Sequence, residues 1–172
     1  APMIPAVKIN IAYFEKYLGE GIETYYSLVA EAESLGLEII GDVKRGDIGH
    51  TAEHYAEAHL QNSELVGLED TITPDAITIN GFAGADGIEP FAKVADEQGK
   101  GLFVWVRGSN PSAAAIQDFV GADDRFLCTQ ALDGILGEGA VEFVASPSAE
   151  QVASLKFFEI VGSPQHQHHG AH

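Results

Sequence analysis

The chain alternates short apolar runs with longer segments in which apolar residues recur at helical spacing. In residues 21–35, for example, Ile22, Tyr25 and Val29 fall on one face, and Gly36 follows the last turn. Further helices are predicted over residues 51–60, 88–98, 112–119 and 149–156. The apolar runs predict strands over residues 7–11, 37–44, 75–80, 101–107, 140–145 and 157–161.

Strands that alternate with helices are typical of an α/β fold with a parallel sheet. Both a doubly wound sheet and a (β/α)8 TIM barrel fit this pattern. A barrel usually takes about 250 residues, so a chain of 172 residues would represent about six of its βα units. Residues 121–138 are rich in Gly and Asp and predict a loop with a partial helix. Residues 1–172 together predict a single domain, and Thr51 stands where an N-cap would begin its helix.

The charge balance is strongly acidic, with 26 acidic residues against 9 basic ones and a formal charge of −17. Such a field repels nucleic acid and anionic membranes, so neither is an expected partner. The single cysteine, Cys128, excludes an internal disulfide and a cysteine zinc site. We see neither an apolar run of about 20 residues nor a signal peptide, and we expect a cytoplasmic protein.

Charged and polar side chains stand at or near the carboxyl ends of the predicted strands. They are Lys8, Asp42, Lys44, Asn80 and Arg107. Active sites of parallel α/β folds form at these ends. Such a cluster of cations is informative in a chain that has few of them.

Asp42 and Lys44 are two apart on a strand, so their side chains are expected on the same face. Asp47 follows in the loop, within reach of the same space or of a neighbouring subunit. The Asp-x-Lys-x-x-Asp spacing supplies opposite charges to one another, and Lys44 could then act as a proton donor. A surface ion-pair cluster after a strand explains the spacing equally well.

Longer stretches around these residues resemble orotidine 5′-monophosphate decarboxylases of the longer bacterial type. The stretches are VKINIAYFE, DVKRGDIGHTAEHYAEAHL, ITINGFAGADGIEPF and KGLFVWVRGSNPSAAAIQDF. They follow one another in the order of that family, from Val7 to Phe119.

The resemblance implies a TIM barrel that converts orotidine 5′-monophosphate to uridine 5′-monophosphate in pyrimidine biosynthesis, without cofactor or metal. It also implies a homodimer in which Asp47 and Thr51 serve the partner's site. By position, the implied catalytic residues are Lys8, Asp42, Lys44 and Asp47, and the implied substrate-binding residues are Thr51, Ser109, Asn110 and Gly162. In this mechanism Lys44 protonates the carbanion left at C6 of the pyrimidine, and Ser109 hydrogen-bonds the base.

The chain also departs from the family pattern. The family's first strand, whose Asp holds the ribose, has no counterpart before Ala1, and no Arg for the phosphate follows Arg125. Gly108 stands where a Thr is usual, and the segment around Gly162 only partly matches the phosphate loop. We therefore expect the chain to lack the first and last barrel units.

Two other functions stay open at this stage. One is a sugar-phosphate decarboxylase or aldolase of the same barrel group, which shares Asp-x-Lys-x-x-Asp. The other is a non-catalytic subunit derived from the barrel.

Other candidate residues have simpler interpretations. The C-terminal histidines could form a metal site, but a flexible or tag-like tail fits them better; they are His166, His168, His169 and His172. The histidines at positions 50, 54 and 59 are expected to be solvated helix residues. The glycines at 81, 84 and 87 predict a strand-to-helix turn. Arg107 is either a site residue or a salt-bridged structural arginine.

Overall fold

The computed structural model describes residues 4–62, 67–68 and 71–122, together with the backbone of a strand at residues 158–160. These residues form one five-stranded sheet with its strands in chain order. The strands are β1 Ala6–Asn10, β2 Glu38–Arg45, β3 Ala76–Asn80, β4 Gly101–Trp105 and β5 Phe158–Ile160. The helices are α1 Ala12–Glu15, α2 Leu18–Ser34, α3 Gly49–Leu60, α4 Ala85–Gln98 and α5 Ala113–Gln117.

The first four strands run parallel, and each is followed by at least one helix. Sequential parallel strands with intervening helices are the repeating unit of a (β/α) barrel, and four such units are present in the described part of the chain. The predicted strand at 140–145, the predicted helix at 149–156 and Gly162 lie outside the described residues.

The strand β5 departs from the all-parallel expectation, because it pairs antiparallel with β4. Val104 of β4 is in register with Phe158, and Leu102 with Ile160. A sheet edge presents unpaired N–H and C=O groups that a strand of either direction can satisfy, and the apolar run alone does not set that direction.

The core lies between the sheet and its helices. Ile77 and Ile79 of β3 are fully buried, as are Tyr25 and Val29 of α2, and Phe91 of α4 is nearly so. Burying an aliphatic side chain of this size stabilises the fold by about 1.5–3 kcal/mol. Thr78, between the two isoleucines, points to the opposite face of the sheet because side chains alternate along a strand.

The start of the first long helix differs from the prediction. α2 begins at Leu18 rather than at residue 21, after the short helix α1. A Cβ at Gly21 would lie 1.9 Å from the carbonyl oxygen of Phe14, so only glycine permits the close crossing of α1 and α2. Apolar periodicity does not reveal such a contact.

The predicted N-cap of α3 was also wrong. The N-cap is Ile48, with no side-chain hydrogen bond, and the helix begins at Gly49. Gly49 has a left-handed backbone with φ of 54°, which turns the chain into the helix two residues earlier than expected. Thr51 is therefore an exposed residue of the first turn. In the described part of the chain, no helix has both the length and the apolar character needed to cross a membrane.

Candidate active site

A buried carboxylate, Asp42, holds together the charged residues at the carboxyl end of the sheet. It is 5% exposed, and both of its oxygens are occupied. Lys8 Nζ donates to Oδ2 at 3.1 Å, and Lys44 Nζ donates to Oδ1. The Thr78 hydroxyl donates to Oδ1 at 3.0 Å, and the Asn10 amide donates to Oδ2 at 3.4 Å. The structure thus brings three predicted site residues together and adds two polar residues from β1 and β3.

These hydrogen bonds decide the charge of Asp42. Burial acts to raise the pKa of its carboxyl, but the hydrogen bonds from Lys44, Lys8 and Thr78 outweigh burial and hold the pKa below its ordinary value. A buried carboxylate without such partners would cost several kcal/mol. The site therefore keeps one anion between two ammonium groups at neutral pH.

A bulge in β2 brings the side chain of Lys44 next to Asp42. In the pairing with β3, Gly41 faces Ile77 and Arg45 faces Ile79, so four residue steps on β2 oppose two on β3. Lys44, inside this bulge, has a left-handed backbone with φ of 47°. Such a backbone costs a residue with a side chain about 1–2 kcal/mol. The predicted proximity of Asp42 and Lys44 holds, but it comes from a bulge and not from a regular pleat.

Arg45 fixes the other side of this bulge. Its guanidinium forms an ion pair with Glu15 of α1 and donates to the carbonyl of Val43 at 3.1 Å. It also lies 5.7 Å from the ring centre of Tyr55 on α3. These contacts connect the end of β2 to helices on both sides.

Asp47 and Thr51 do not join the network within one chain. The Asp47 carboxylate accepts a hydrogen bond from the N–H of Ile48 at 2.8 Å. Within the described ranges, Asp47 makes no ion pair with Lys8 or Lys44. Thr51 is exposed on α3.

The segment after β4 presents Ser109 and Asn110 to solvent. The N–H of Gly108 donates to the side chain of Gln117 at 2.6 Å, which holds the start of this segment. A Cβ at Gly108 would lie 2.6 Å from Oδ1 of Asn110. The glycine that replaces the expected threonine therefore allows Asn110 to fold back over the backbone.

Arg107 forms a bidentate ion pair with Asp118, with both N–O distances at 2.7 Å. Its third nitrogen donates to the carbonyl of Gly108 at 3.2 Å. The hydrogen bond from Arg107 lowers the pKa of Asp118. Of the two interpretations of Arg107, the structure has the salt-bridged one.

Thr78 and Asn10 were missed in the sequence. Asn10 lies two residues after Lys8, on the same face of β1, and that spacing was an available signal. Thr78 gave a weaker signal, because threonine is an ordinary strand residue. Its contact with Asp42 joins residues 36 apart in the chain.

The helix histidines divide into two kinds. His50 and His54 are exposed as expected, and each lies beside a glutamate of its own helix. His59 was expected to be solvated but is only 6% exposed. Burial, aided by the charge of Arg45, lowers its pKa to about 4. Helical periodicity places His59 on the inner face beside Ala56, where it packs near the Tyr26 hydroxyl.

Away from Asp42 the structure has a cavity but, among the residues that it describes, no candidate metal site. A cavity of about 970 Å³ between α2 and α3 is lined by residues that include Tyr26, His54 and Leu68, but not by the charged residues around Asp42. Among the described residues, no group of three or more His, Cys, Asp or Glu side chains is placed to hold a metal ion. The C-terminal histidines lie outside that part of the chain.

Residues 1–161 match the model of the family described as Orotidine 5′-phosphate decarboxylase / HUMPS family. The chain belongs to this family. The family resemblance inferred from the sequence is therefore confirmed.

The chain is also similar to individual members of the decarboxylase family, in sequence and in structure. The chain is 38% identical over 125 residues to orotidine 5′-phosphate decarboxylase of Caldicellulosiruptor saccharolyticus, which covers 72% of this chain and 41% of the relative. A solved structure from Streptomyces avermitilis, a candidate orotidine 5′-phosphate decarboxylase, superposes with a TM-score of 0.66 at 34% identity, covering 74% of this chain and 43% of that one. The OMP decarboxylase of Leishmania donovani superposes with a TM-score of 0.58 at 30% identity, covering 74% and 45%.

These superpositions confirm the predicted α/β barrel class, here as a partial barrel. The chain spans about two fifths of the length of the curated relatives that it matches, such as 41% and 38% of two of them.

Proposed function

We propose that the complete protein containing this chain decarboxylates orotidine 5′-monophosphate to uridine 5′-monophosphate. One observation carries the proposal: Lys8 and Lys44 bind the two oxygens of the buried Asp42 carboxylate. Membership of the decarboxylase family and the names of the relatives support this choice of substrate.

In the proposed reaction the substrate carboxylate at C6 lies against Asp42, whose lowered pKa keeps it anionic. The bond between C6 and the carboxyl carbon breaks, carbon dioxide leaves, and the electron pair stays on C6. Lys44 then transfers a proton from Nζ to C6, and solvent returns the proton to Lys44. Crowding of two anions in the ground state and the ammonium facing the developing carbanion both favour the forward step. Lys8 holds Asp42 in place, and the step needs no cofactor.

Substrate binding is proposed for residues beyond the network. Ser109 is proposed to hydrogen-bond the pyrimidine and Asn110 to bind the substrate beside it, and both side chains are exposed after β4. Gly162 is proposed to belong to the phosphate loop and lies outside the described residues.

We further propose that the active protein is a homodimer in which Asp47 and Thr51 complete the partner's site. In support, the Asp47 side chain accepts a local hydrogen bond from the N–H of Ile48 and, among the described residues, makes no ion pair with Lys8 or Lys44. Large apolar side chains are also exposed in loops after neighbouring strands, with Ile48 at 61% and Phe82 at 83%. Contiguous apolar patches mark contact surfaces, and these two side chains are proposed to contribute to one. A cytoplasmic location fits the proposal, because a charged nucleotide does not cross a membrane unaided.

The test is turnover by the purified complete protein. We expect conversion of orotidine monophosphate to uridine monophosphate at the same rate with and without a chelator. Sugar phosphates should not be decarboxylated or cleaved. Turnover of a sugar phosphate alone would assign the protein to another reaction of the same barrel group. A folded protein that turns over neither substrate would be a non-catalytic subunit.

A further inference from the structure

Thr78 is a buried residue that makes hydrogen bonds to two residues of the charged site. It lies on β3, is 1% exposed, and faces Asp42. Its hydroxyl donates to Oδ1 of Asp42 at 3.0 Å and accepts a hydrogen bond from the backbone N–H of Lys44 at 3.0 Å. A hydroxyl has one donor and two acceptor positions, so these two bonds are compatible.

The two bonds close a ring of contacts. Oδ1 of Asp42 binds both the Thr78 hydroxyl and the ammonium of Lys44, and the Thr78 hydroxyl binds the backbone of that same Lys44. The Lys44 backbone is left-handed, so it needs an external contact to hold it there. In the described chain, that N–H is held by a side chain of the neighbouring strand, at the bulge where regular pairing is interrupted.

We propose that Thr78 is a positioning residue, which fixes the Lys44 backbone and the Asp42 carboxylate relative to each other through one hydroxyl. The proposal rests on the decarboxylase function proposed above and adds a residue to it. Thr78 is 1% exposed, so its proposed role is exerted through Asp42 and Lys44. It acts by keeping the Lys44 ammonium in line with its acceptor, and a displacement of about 1 Å at such a group can cost on the order of 100-fold in rate.

The variant Thr78→Val tests the proposal in the complete protein, since it keeps the side-chain shape and removes the hydroxyl. We expect kcat to fall roughly 10- to 100-fold while KM changes by less than about threefold. Thr78→Ser restores the hydroxyl and should stay within about threefold of the wild type. If Thr78→Val is not recovered folded, Thr78→Ala removes the same hydroxyl with less bulk.

Thr73 offers a matched control. It is a buried threonine whose hydroxyl contacts Lys100 and Asn62, just before β3 and away from Asp42. Thr73→Val should lower the melting temperature and leave kcat per folded molecule unchanged. An equal loss of kcat in both valine variants, or no loss in Thr78→Val, would overturn the proposal.

A second measurement does not depend on activity. The carboxyl carbon of Asp42 can be titrated by NMR in the folded protein, where Lys8 and Lys44 are the charged groups in contact with it and Tyr25 is the nearby titratable residue of α2. Thr78→Val should raise the pKa of Asp42, because it removes one of the hydrogen bonds that lower it. Thr73→Val should not. An inactive wild type would contradict the proposed function. An unchanged pKa of Asp42 in Thr78→Val would contradict the positioning role of Thr78.

Discussion

The ammonium of Lys8 lies 3.1 Å from Oδ2 of Asp42, although 34 residues separate them along the chain. β1 and β2 are parallel neighbours in which Lys8 is paired with Ile40 and Asn10 with Asp42. The Lys8 side chain therefore reaches one pleat along, toward the carboxyl end of the sheet. Because of this contact, the ammonium groups of Lys8 and Lys44 both bind the carboxylate of Asp42.

Replacing Lys8 by methionine should show what this ion pair contributes to turnover and what it contributes to stability. We expect kcat to fall by about 10- to 100-fold, less than for a fully buried donor, because the Lys8 side chain is 44% exposed and water can replace part of its charge. The free energy of unfolding should fall by about 1–3 kcal/mol, because the buried Asp42 carboxylate loses one of its charged partners. Steady-state kinetics and urea unfolding measure the two effects. Lys93→Met, at an exposed position of α4, is the control, and identical kcat values for the two variants would contradict the assignment.

The shared site is tested by mixing two inactive chains. A heterodimer of Asp47→Ala and Lys44→Ala chains contains one site with both residues intact, if Asp47 acts in the partner's site. Equal mixing after unfolding and refolding should then restore about a quarter of wild-type activity, because half of the dimers are mixed and each has one intact site of two. A folded mixture with no more activity than either parent would mean that each site is built from one chain.

The buried histidine predicts a pH dependence of stability. In the folded protein the pKa of His59 is about 4, against an ordinary value of 6.5. The unfolded chain therefore binds a proton between these values while the folded chain does not. Stability from this group is complete above pH 6.5 and is lost as pH falls toward 4, by up to about 3 kcal/mol.

Urea unfolding at several pH values checks this dependence. His59→Gln should flatten the pH dependence in that window. His54→Gln, at an exposed position of the same helix, should retain it. Equal slopes for the wild type and His59→Gln would contradict the assignment.

Much of the fold was predictable because its signal is local. Apolar runs bounded by turn residues gave the four parallel strands to within a residue or two at most ends, and the end of α2 followed from Gly36. The start of α2 did not follow, because it depends on the contact of Gly21 with Phe14 across a turn.

The site was predictable to the extent that its residues are charged. Asp42 and Lys44 stood out as a charged pair at the carboxyl end of a predicted strand, and Lys8 stood out on the strand before it. The bulge that carries Lys44 could not be predicted, because a left-handed lysine has no sequence signature and is held by a contact with Thr78 on another strand. Nonlocal hydrogen bonds of this kind become visible only when the strands are placed side by side.

The most direct test of the account is the turnover of orotidine monophosphate by Lys44→Ala in the complete protein, with Lys93→Ala as the control for loss of a surface lysine. Loss of a preorganised charged donor lowers kcat by about 10²–10³, and by more when the residue also supplies the proton. We predict at least that fall for Lys44→Ala, a smaller change in KM and wild-type kinetics for Lys93→Ala. A folded Lys44→Ala protein that turns over substrate at the wild-type rate would contradict the central claim that Lys44, held by Asp42, is the proton donor.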